Sequence, residues 1–309
     1  MSTKINGIDV SKWQGAIDWQ RVAASGVRFA MIRLGTGSPD GSACTLDPRF
    51  DENVEGALAA GLEVGCYLYS YATSVAGARM EAAFAAGRLA KYKGRLCYPV
   101  AYDLEDESQA ALGRDTLTGM AGAFCSAIEA NGWYAMLYCN KNWATNYLEM
   151  AALARYDLWL AQWADAPTYT GHSFNMWQYS NKGRVPGIAG SVDLDTAYMD
   201  FAAVIRAKGL NGCKTAPKKS VDQLAAEVIA GRWGNGAERR EKLTAAGYDY
   251  DAVQAAVNAK LAAPAKKSNE EIAKEVLAGA WGNGAERREK LTAAGYDYDA
   301  VQRIVNRLV

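Results

Sequence analysis

The 309-residue sequence predicts an irregular β/α barrel followed by two small three-helix modules, on three observations. Eight short strand-like runs in the first 208 residues mostly alternate with amphipathic helical runs. A string of 22 residues, WGNGAERREKLTAAGYDYDAVQ, occurs at Trp233–Gln254 and again at Trp281–Gln302. Two stretches rich in Ala, Pro, Lys and Ser, 209–220 and 262–268, read as exposed tethers between the regular parts.

The strands are expected at Ile5–Val10, Val27–Leu34, Val64–Tyr71, Leu96–Tyr102, Tyr134–Cys139, Tyr156–Leu160, Asn175–Tyr179 and Ser191–Leu194. Helices are expected at Ile17–Ser25, Phe50–Ala60, Val75–Tyr92, Asp115–Asn131, Lys141–Met150 and Thr196–Lys208. Residues 161–195 leave little room for helices, so the barrel should be irregular at its end. A doubly wound open sheet is the alternative, without support from any GxGxxG after a first strand.

The repeat extends outwards to units of 221–261 and 269–309. In each, an apolar-periodic helix such as Val221–Ala230 is interrupted at Gly231 or Gly234. A second, Ala237–Ala246, turns Leu243 inward and ends at Gly247. Asp249 or Asp251 caps a third carrying Val253, Val257 and Leu261. Trp233 and Tyr248 supply much of so small a core. The domain plan is therefore 1–208, a linker at 209–220, a repeat at 221–261, a linker at 262–268 and a repeat at 269–309.

Lys plus Arg and Asp plus Glu are both 34, which argues against a general nucleic-acid binder. The balance hides a split: residues 1–208 carry 18 basic and 21 acidic side chains, residues 209–309 carry 16 and 13. The six cysteines form no CxxC and read mostly as buried thiols of a reducing compartment. A single histidine, His172, excludes a His-rich zinc site. No run of 18 apolar residues is present, so no membrane insertion is expected. The start, MSTKINGIDVSKWQG, has no apolar segment of a secretory signal, which points to a cytosolic start.

A β/α barrel carries its chemistry at the C-terminal strand ends. Asp9, Asp103, Glu105 and Asp193 fall there, with Asp106, Glu107 and Asp195 nearby. Asp103 and Glu105 are spaced by two, so extended backbone turns both to one face. Each raises the other's cost of ionisation, which keeps a proton available for acid chemistry at a glycosidic bond. The bland reading makes Glu105–Glu107 a solvated loop or a helix cap. The same acids are oxygen ligands for a hard cation, a minor reading; no metal or cofactor is expected. Aromatic residues, including Tyr67, Tyr69, Tyr71, Tyr102, Tyr138, Trp159, Trp163, Trp177 and Tyr179, crowd these strands and suit a sugar polymer. Trp13 and Trp19 are read either with them or as packing for the first helix.

GIDVSKWQG at 7–15, GCYLYSYA at 65–72, YDLED at 102–106, WLAQW at 159–163 and the segment 177–195 together resemble the lysozyme-type muramidases of glycoside hydrolase family 25. Residues 221–261 and 269–309 resemble the Cpl-7-type cell-wall-binding repeats of phage lysins. The resemblance implies cleavage of the β-1,4 bond between N-acetylmuramic acid and N-acetylglucosamine in bacterial peptidoglycan. It implies Glu105 as general acid, Asp103 as its partner, Asp9 and Asp193 as flanking acids, and no cofactor. Tyr69, Tyr71, Tyr138 and Trp163 are the candidates for groove lining. Arg239, Arg240, Arg287 and Arg288 are candidates for wall contact, or else solvated helix faces. The close Asp-x-Glu spacing favours retention through the substrate's acetamido group over an inverting route, which needs carboxyls roughly 6.5–9.5 Å apart. A phage endolysin would stay in the host cytoplasm until a holin-made pore let it reach the wall. The rival is a non-catalytic peptidoglycan-binding protein.

Overall fold

The computed structural model describes residues 4–214, 219–262 and 266–309. Two compact units divide the chain, Met1–Ala216 and Pro217–Val309. The central parts of both expected linkers, 215–218 and 263–265, lie outside the described residues.

The first unit runs β1 (Ile5–Val10), α1 (Trp19–Ala24), β2 (Phe29–Thr36), β3 (Thr45–Leu46), α2 (Phe50–Ala59), β4 (Glu63–Tyr69), α3 (Val75–Leu89) and β5 (Val100–Asp103). It continues with α4 (Arg114–Ala130), β6 (Ala135–Asn140), α5 (Lys141–Asn146), β7 (Asp157–Ala161), β8 (Met176–Gly183), β9 (Val192–Ala197) and α6 (Phe201–Lys208). Round the barrel the order is β1-β2-β4-β5-β6-β7-β8-β9, and the β1–β2 and β1–β9 pairings close it. Closure excludes the open doubly wound sheet. Neighbours are parallel from β1 to β8, whereas β9 runs antiparallel to both β8 and β1. The short β3, unforeseen in the sequence, only extends β2. No helix separates β7, β8 and β9, which is the expected irregularity.

Period-two alternation makes two cores. Outward residues such as Ile8, Ile32, Val64, Tyr102 and Leu137 meet the helices through Val22, Val54, Ala85, Phe124 and Ile128. Tyr102 stacks on Phe124 with ring centroids 4.1 Å apart. Inward residues Phe29, Met31, Ala101, Met136, Trp159 and Met176 fill the barrel. Because β9 is reversed, the chain leaves it at the opposite end from the other strands. There α6 brings Phe201 against Tyr98, 5.6 Å away, and Tyr98 stacks on Phe29 at 4.7 Å. A Cβ on Gly7 would lie 2.2 Å from the Phe29 ring, so glycine is needed for this plug.

Two expectations are corrected here. Cys97 and Cys213 form a disulfide, so not every cysteine is a thiol; Cys66, Cys125 and Cys139 are buried thiols and Cys44 is half-buried. The barrel does not end at residue 208 either. Asn211 is fully buried, donates to the Leu96 and Tyr98 carbonyls at 2.8 and 2.9 Å, and accepts from the Tyr134 amide. A separation of 116 residues hid both facts: nothing local in 209–213 announces what α6 returns it to.

The second unit holds α7 (Val221–Ile229), α8 (Gly236–Ala245) and α9 (Tyr250–Leu261), then α10 (Asn269–Leu277), α11 (Gly284–Ala293) and α12 (Tyr298–Leu308). Ser220 with Gln223, and Ser268 with Glu271, make reciprocal capping boxes. Gly247 takes φ of 74° after α8, and Asp249 caps α9. Each module closes on six buried side chains, in the first Leu224, Ala225, Val228, Leu243, Val253 and Val257. Trp233 packs edge-on to Tyr248 and donates its indole N–H to Glu227 at 2.9 Å. Among the described residues no helix is long and apolar enough to cross a membrane.

Candidate active site

The end of β5 organises the site. Ala101 and Asp103 point into the barrel while Val100 and Tyr102 point out. Leu104 continues the extended run by donating to the Tyr138 carbonyl, and Glu105 then falls on the inward side. Asp106, not Glu105, caps the following 3-10 turn by accepting from Ser108. It also accepts from the Tyr69 hydroxyl at 3.0 Å. The helix-cap reading thus belongs to Asp106, and Glu105 faces the opening.

Asp9 projects inward from β1 and lies in register with Asp193 of β9. Asp193 sits near the start of β9, yet the reversed strand brings that start to the rim where the parallel strands end. Asp195, one step deeper, is fully buried and accepts from the Trp159 indole at 2.8 Å. Gln178 of β8 knits the acids together. Its amide donates to Asp9 at 2.7 Å and to Asp193 at 3.4 Å, while its oxygen accepts from Tyr138 and Trp163.

These groups line a well of about 190 Å³ containing Asp9, Asp103, Glu105, Asp193, Tyr67, Tyr69, Tyr138, Gln178, Arg33 and Trp13. Arg33 brings the only cationic group of the lining, and its guanidinium is shared with buried Asp47 at 2.7 Å. The acids therefore face more negative charge than the well can balance. Burial pushes Asp9 and Asp103 well above the ordinary carboxylate range; Asp195 and Asp193 add to the rise at Asp9, and Glu105 to that at Asp103. Arg33 pulls Asp103 back down in part. Glu105 is raised mainly by burial, against hydrogen bonding from Asn140, with the charges of Asp193 and Asp106 adding to the rise. Asn140 is held for that task because its oxygen caps α5 through the Trp143 amide. Burial takes Asp193 to about 6 and Asp195 to about 8. Oδ1 of Asp103 is buried without a hydrogen-bond partner among the described residues.

Of the aromatic candidates, Tyr69 and Tyr138 line the well. Tyr71 does not; it lies beyond β4 and packs on Tyr69, centroids 5.1 Å apart. Trp163 stands at the rim, its indole bonded to Gln178. Trp19 is core, but Trp13 is 75% exposed at the mouth of the well. Among the described residues, Trp13, Tyr71 and Trp163 are the exposed aromatic side chains; Trp13 lines the well, Tyr71 packs on its Tyr69 and Trp163 bonds its Gln178. The sequence reading missed Arg33 and Gln178. A charge inside the apolar run FAMIRLGT was a usable signal for the first; an amide in MWQYS gave none for the second.

In the repeats the arginines divide. Arg239 bonds the Gly234 carbonyl, Asn235 and Gln254, and Arg287 makes the same contacts with Gly282, Asn283 and Gln302. These two buttress the module. Arg240 and Arg288 lie 4.1 Å over Tyr250 and Tyr298 and remain exposed.

Residues 8–188 match the family model of glycosyl hydrolases family 25. The chain belongs to this family. The match stops short of Asp193, which reaches the well through β9. Residues 222–261 and 270–309 match the CW_7 repeat. Among relatives, lysozyme M1 of Streptomyces globisporus is 28% identical over 201 residues, covering 61% of this chain and 66% of the relative. The lysozyme of Streptococcus phage Cp-7 is 34% identical over 168 residues, covering 50% of this chain and 44% of its own length. The chain thus spans less than two thirds of either relative. The solved bacterial lysozyme of Streptomyces coelicolor superposes with a TM-score of 0.53 at 28% identity, covering 64% of this chain and 93% of that one.

Proposed function

We propose that this family 25 glycosyl hydrolase is a peptidoglycan muramidase, cleaving the β-1,4 bond between N-acetylmuramic acid and N-acetylglucosamine. The carrying observation is the well itself, in which buried acids share one partly committed arginine beneath a rim of exposed aromatic rings. Glu105 is the less buried member of the Asp103–Glu105 pair and keeps its proton above the ordinary range, as a donor to the leaving oxygen requires. Burial holds Asp103 above the ordinary carboxylate range as well, with Arg33 opposing that rise, and its place beside Glu105 in the well suits it to orienting an acetamido group. The acetamido oxygen then closes on C1 as the glycosidic bond breaks. Glu105, now ionised, takes a proton from water as it opens the ring, with net retention. Asp9 and Asp193, tied through Gln178, keep the neighbouring wall of the well acidic and fixed.

The repeats serve as the wall anchor, two weak sites on one chain raising the effective concentration at an insoluble polymer. Arg240 and Arg288 are the wall-facing candidates. The biological setting we favour is a phage endolysin reaching the wall through a holin-made pore, in keeping with the phage Cp-7 lysozyme among its relatives.

Purified walls treated with the protein should lose turbidity and release new muramic-acid reducing ends, and Glu105→Gln should do neither. Equal clearing by both proteins, or none by the unaltered one, overturns the reading and leaves a wall-binding protein. New glucosamine ends instead would make it a glucosaminidase.

A further inference from the structure

Outside the well, β8 places a buried and a half-buried aromatic ring on its outer face. Met176 and Gln178 point into the barrel, so Trp177 and Tyr179 point out. Elsewhere helices cover the outer face of the strands, but none lies between β7 and β8 or between β8 and β9. The result is a groove of about 600 Å³ lined by Trp163, Trp177, Tyr179, Asn181, Lys182 and Thr196, among others.

The chemistry of this groove is specific. Trp177 spends its indole N–H on the Gln162 carbonyl at 2.8 Å, and Trp163 spends its own on Gln178 at 3.0 Å. Both rings are thereby fixed; Trp177 is buried and forms the floor of the groove, and the ring surface open to a ligand is that of Trp163 with part of half-buried Tyr179. Trp163 is 60% exposed. Trp177 and Tyr179 lie 5.5 Å apart at a tilt of 51°. Polar groups edge these surfaces: the Asn181 amide, the Thr196 hydroxyl and the Lys182 ammonium. A flat apolar surface with a polar border complements a pyranose ring, which has C–H faces and a hydroxyl rim. The groove borders the acid well: Trp163 lines the groove and bonds Gln178, which lines the well and holds Asp9.

We infer that this outer groove is a second glycan-binding site, taking sugars of the same strand that lie beyond the bond at Glu105. The inference rests on the muramidase reading. It predicts that the enzyme measures strand length: a strand filling both the well and the groove is held at two places, whereas a short one is held only in the well.

The test uses the full-length protein and uncrosslinked glycan strands without stem peptides, of four sugars and of eight or more. The readout is the ratio of kcat/KM for long over short strands, from reducing-end release. The ratio should be about ten for the unaltered protein, carried by KM, and should fall near one in Tyr179→Ala. Asn181→Ala, a milder surface change that tests the same groove should Tyr179→Ala fold poorly, should lower the ratio about threefold. A ratio near one in the unaltered protein, or a ratio that both variants retain, overturns the proposal. A difference seen only with peptide-bearing strands overturns it in favour of a stem-peptide pocket. Failure to cleave any strand removes the muramidase reading, and this proposal with it.

Discussion

The barrel's acid well and the repeats treat the same side chain in opposite ways. In the barrel well, burial raises Asp9, Asp103, Glu105, Asp193 and Asp195 above the ordinary carboxylate range. In the repeats every shifted carboxylate goes down. Lys219, Lys242, Lys267 and Lys290 hydrogen-bond Glu227, Glu238, Glu275 and Glu286, while the Ser268 amide hydrogen-bonds Glu271. The repeats use charge as a solvated surface that each basic neighbour makes more comfortable. The barrel gathers charge where water is scarce, a cost that stability alone does not explain and that acid chemistry does.

The sharpest way to break the contrast is Asp103→Asn. Removing a buried carboxyl with an orphan oxygen should lower kcat on walls by about 10²–10⁴-fold while raising the barrel's melting temperature. Loss of both activity and stability would mean that the acid is structural. The next largest effect is expected in the other unit. Leu291→Ala should cost about 2–5 kcal/mol, as much as a module of this size holds. Nitrogen–proton spectra should then lose the folded indole signal of Trp281 and keep that of Trp233. Loss of both signals would show that the two small cores do not stand independently.

The pH dependence should run in opposite directions. Asp195, raised to about 8, holds a proton in the folded barrel that the unfolded chain releases from about pH 4 upward. Its contribution is thus full at low pH and is lost as pH rises towards 8. Asp195→Asn keeps an acceptor for Trp159 and should flatten that fall, gaining on the order of 2 kcal/mol at pH 8. Glu227 and Glu275 are lowered, so their contribution is present above the ordinary glutamate range and disappears as pH falls through their lowered values. Calorimetry from pH 3 to 9 should resolve the two trends, and parallel trends would refute the contrast. The smallest effect separates the arginines. Arg239→Ala should destabilise its repeat by about 1–2 kcal/mol through three lost hydrogen bonds. Arg240→Ala, an exposed pair, should cost under about 1 kcal/mol. With Arg288→Ala added, it should weaken pelleting with purified walls.

Much of the site was legible because its signals are local. Asp103 and Glu105 sit two apart at the end of an apolar run, so strand periodicity alone puts them on one face. The repeat is an identity of letters, and its Gly, Asp and Trp positions announced turns, caps and core. Arg33 was half-visible as a charge in a buried strand. Gln178 was invisible: its value lies in touching four residues from β1, β6, β9 and the β7–β8 connection. Trp13 was ambiguous because an exposed and a buried tryptophan look alike in sequence. The reciprocal Ser11–Gln14 cap fixes its turn, and the turn leaves the ring outside.

The sequence by itself determined the alternation of strands and helices, the three folded modules and the carboxyl pair on β5, since each follows from spacing along one stretch of chain. Only the tertiary structure decided that β9 runs backwards. That reversal carries Asp193 to the rim, sends α6 and residues 209–213 beneath the barrel to Cys97, and forms part of the outer surface beside Trp177 and Tyr179. Strand direction depends on which edge remains open when the barrel closes, and that is a property of all eight staves together.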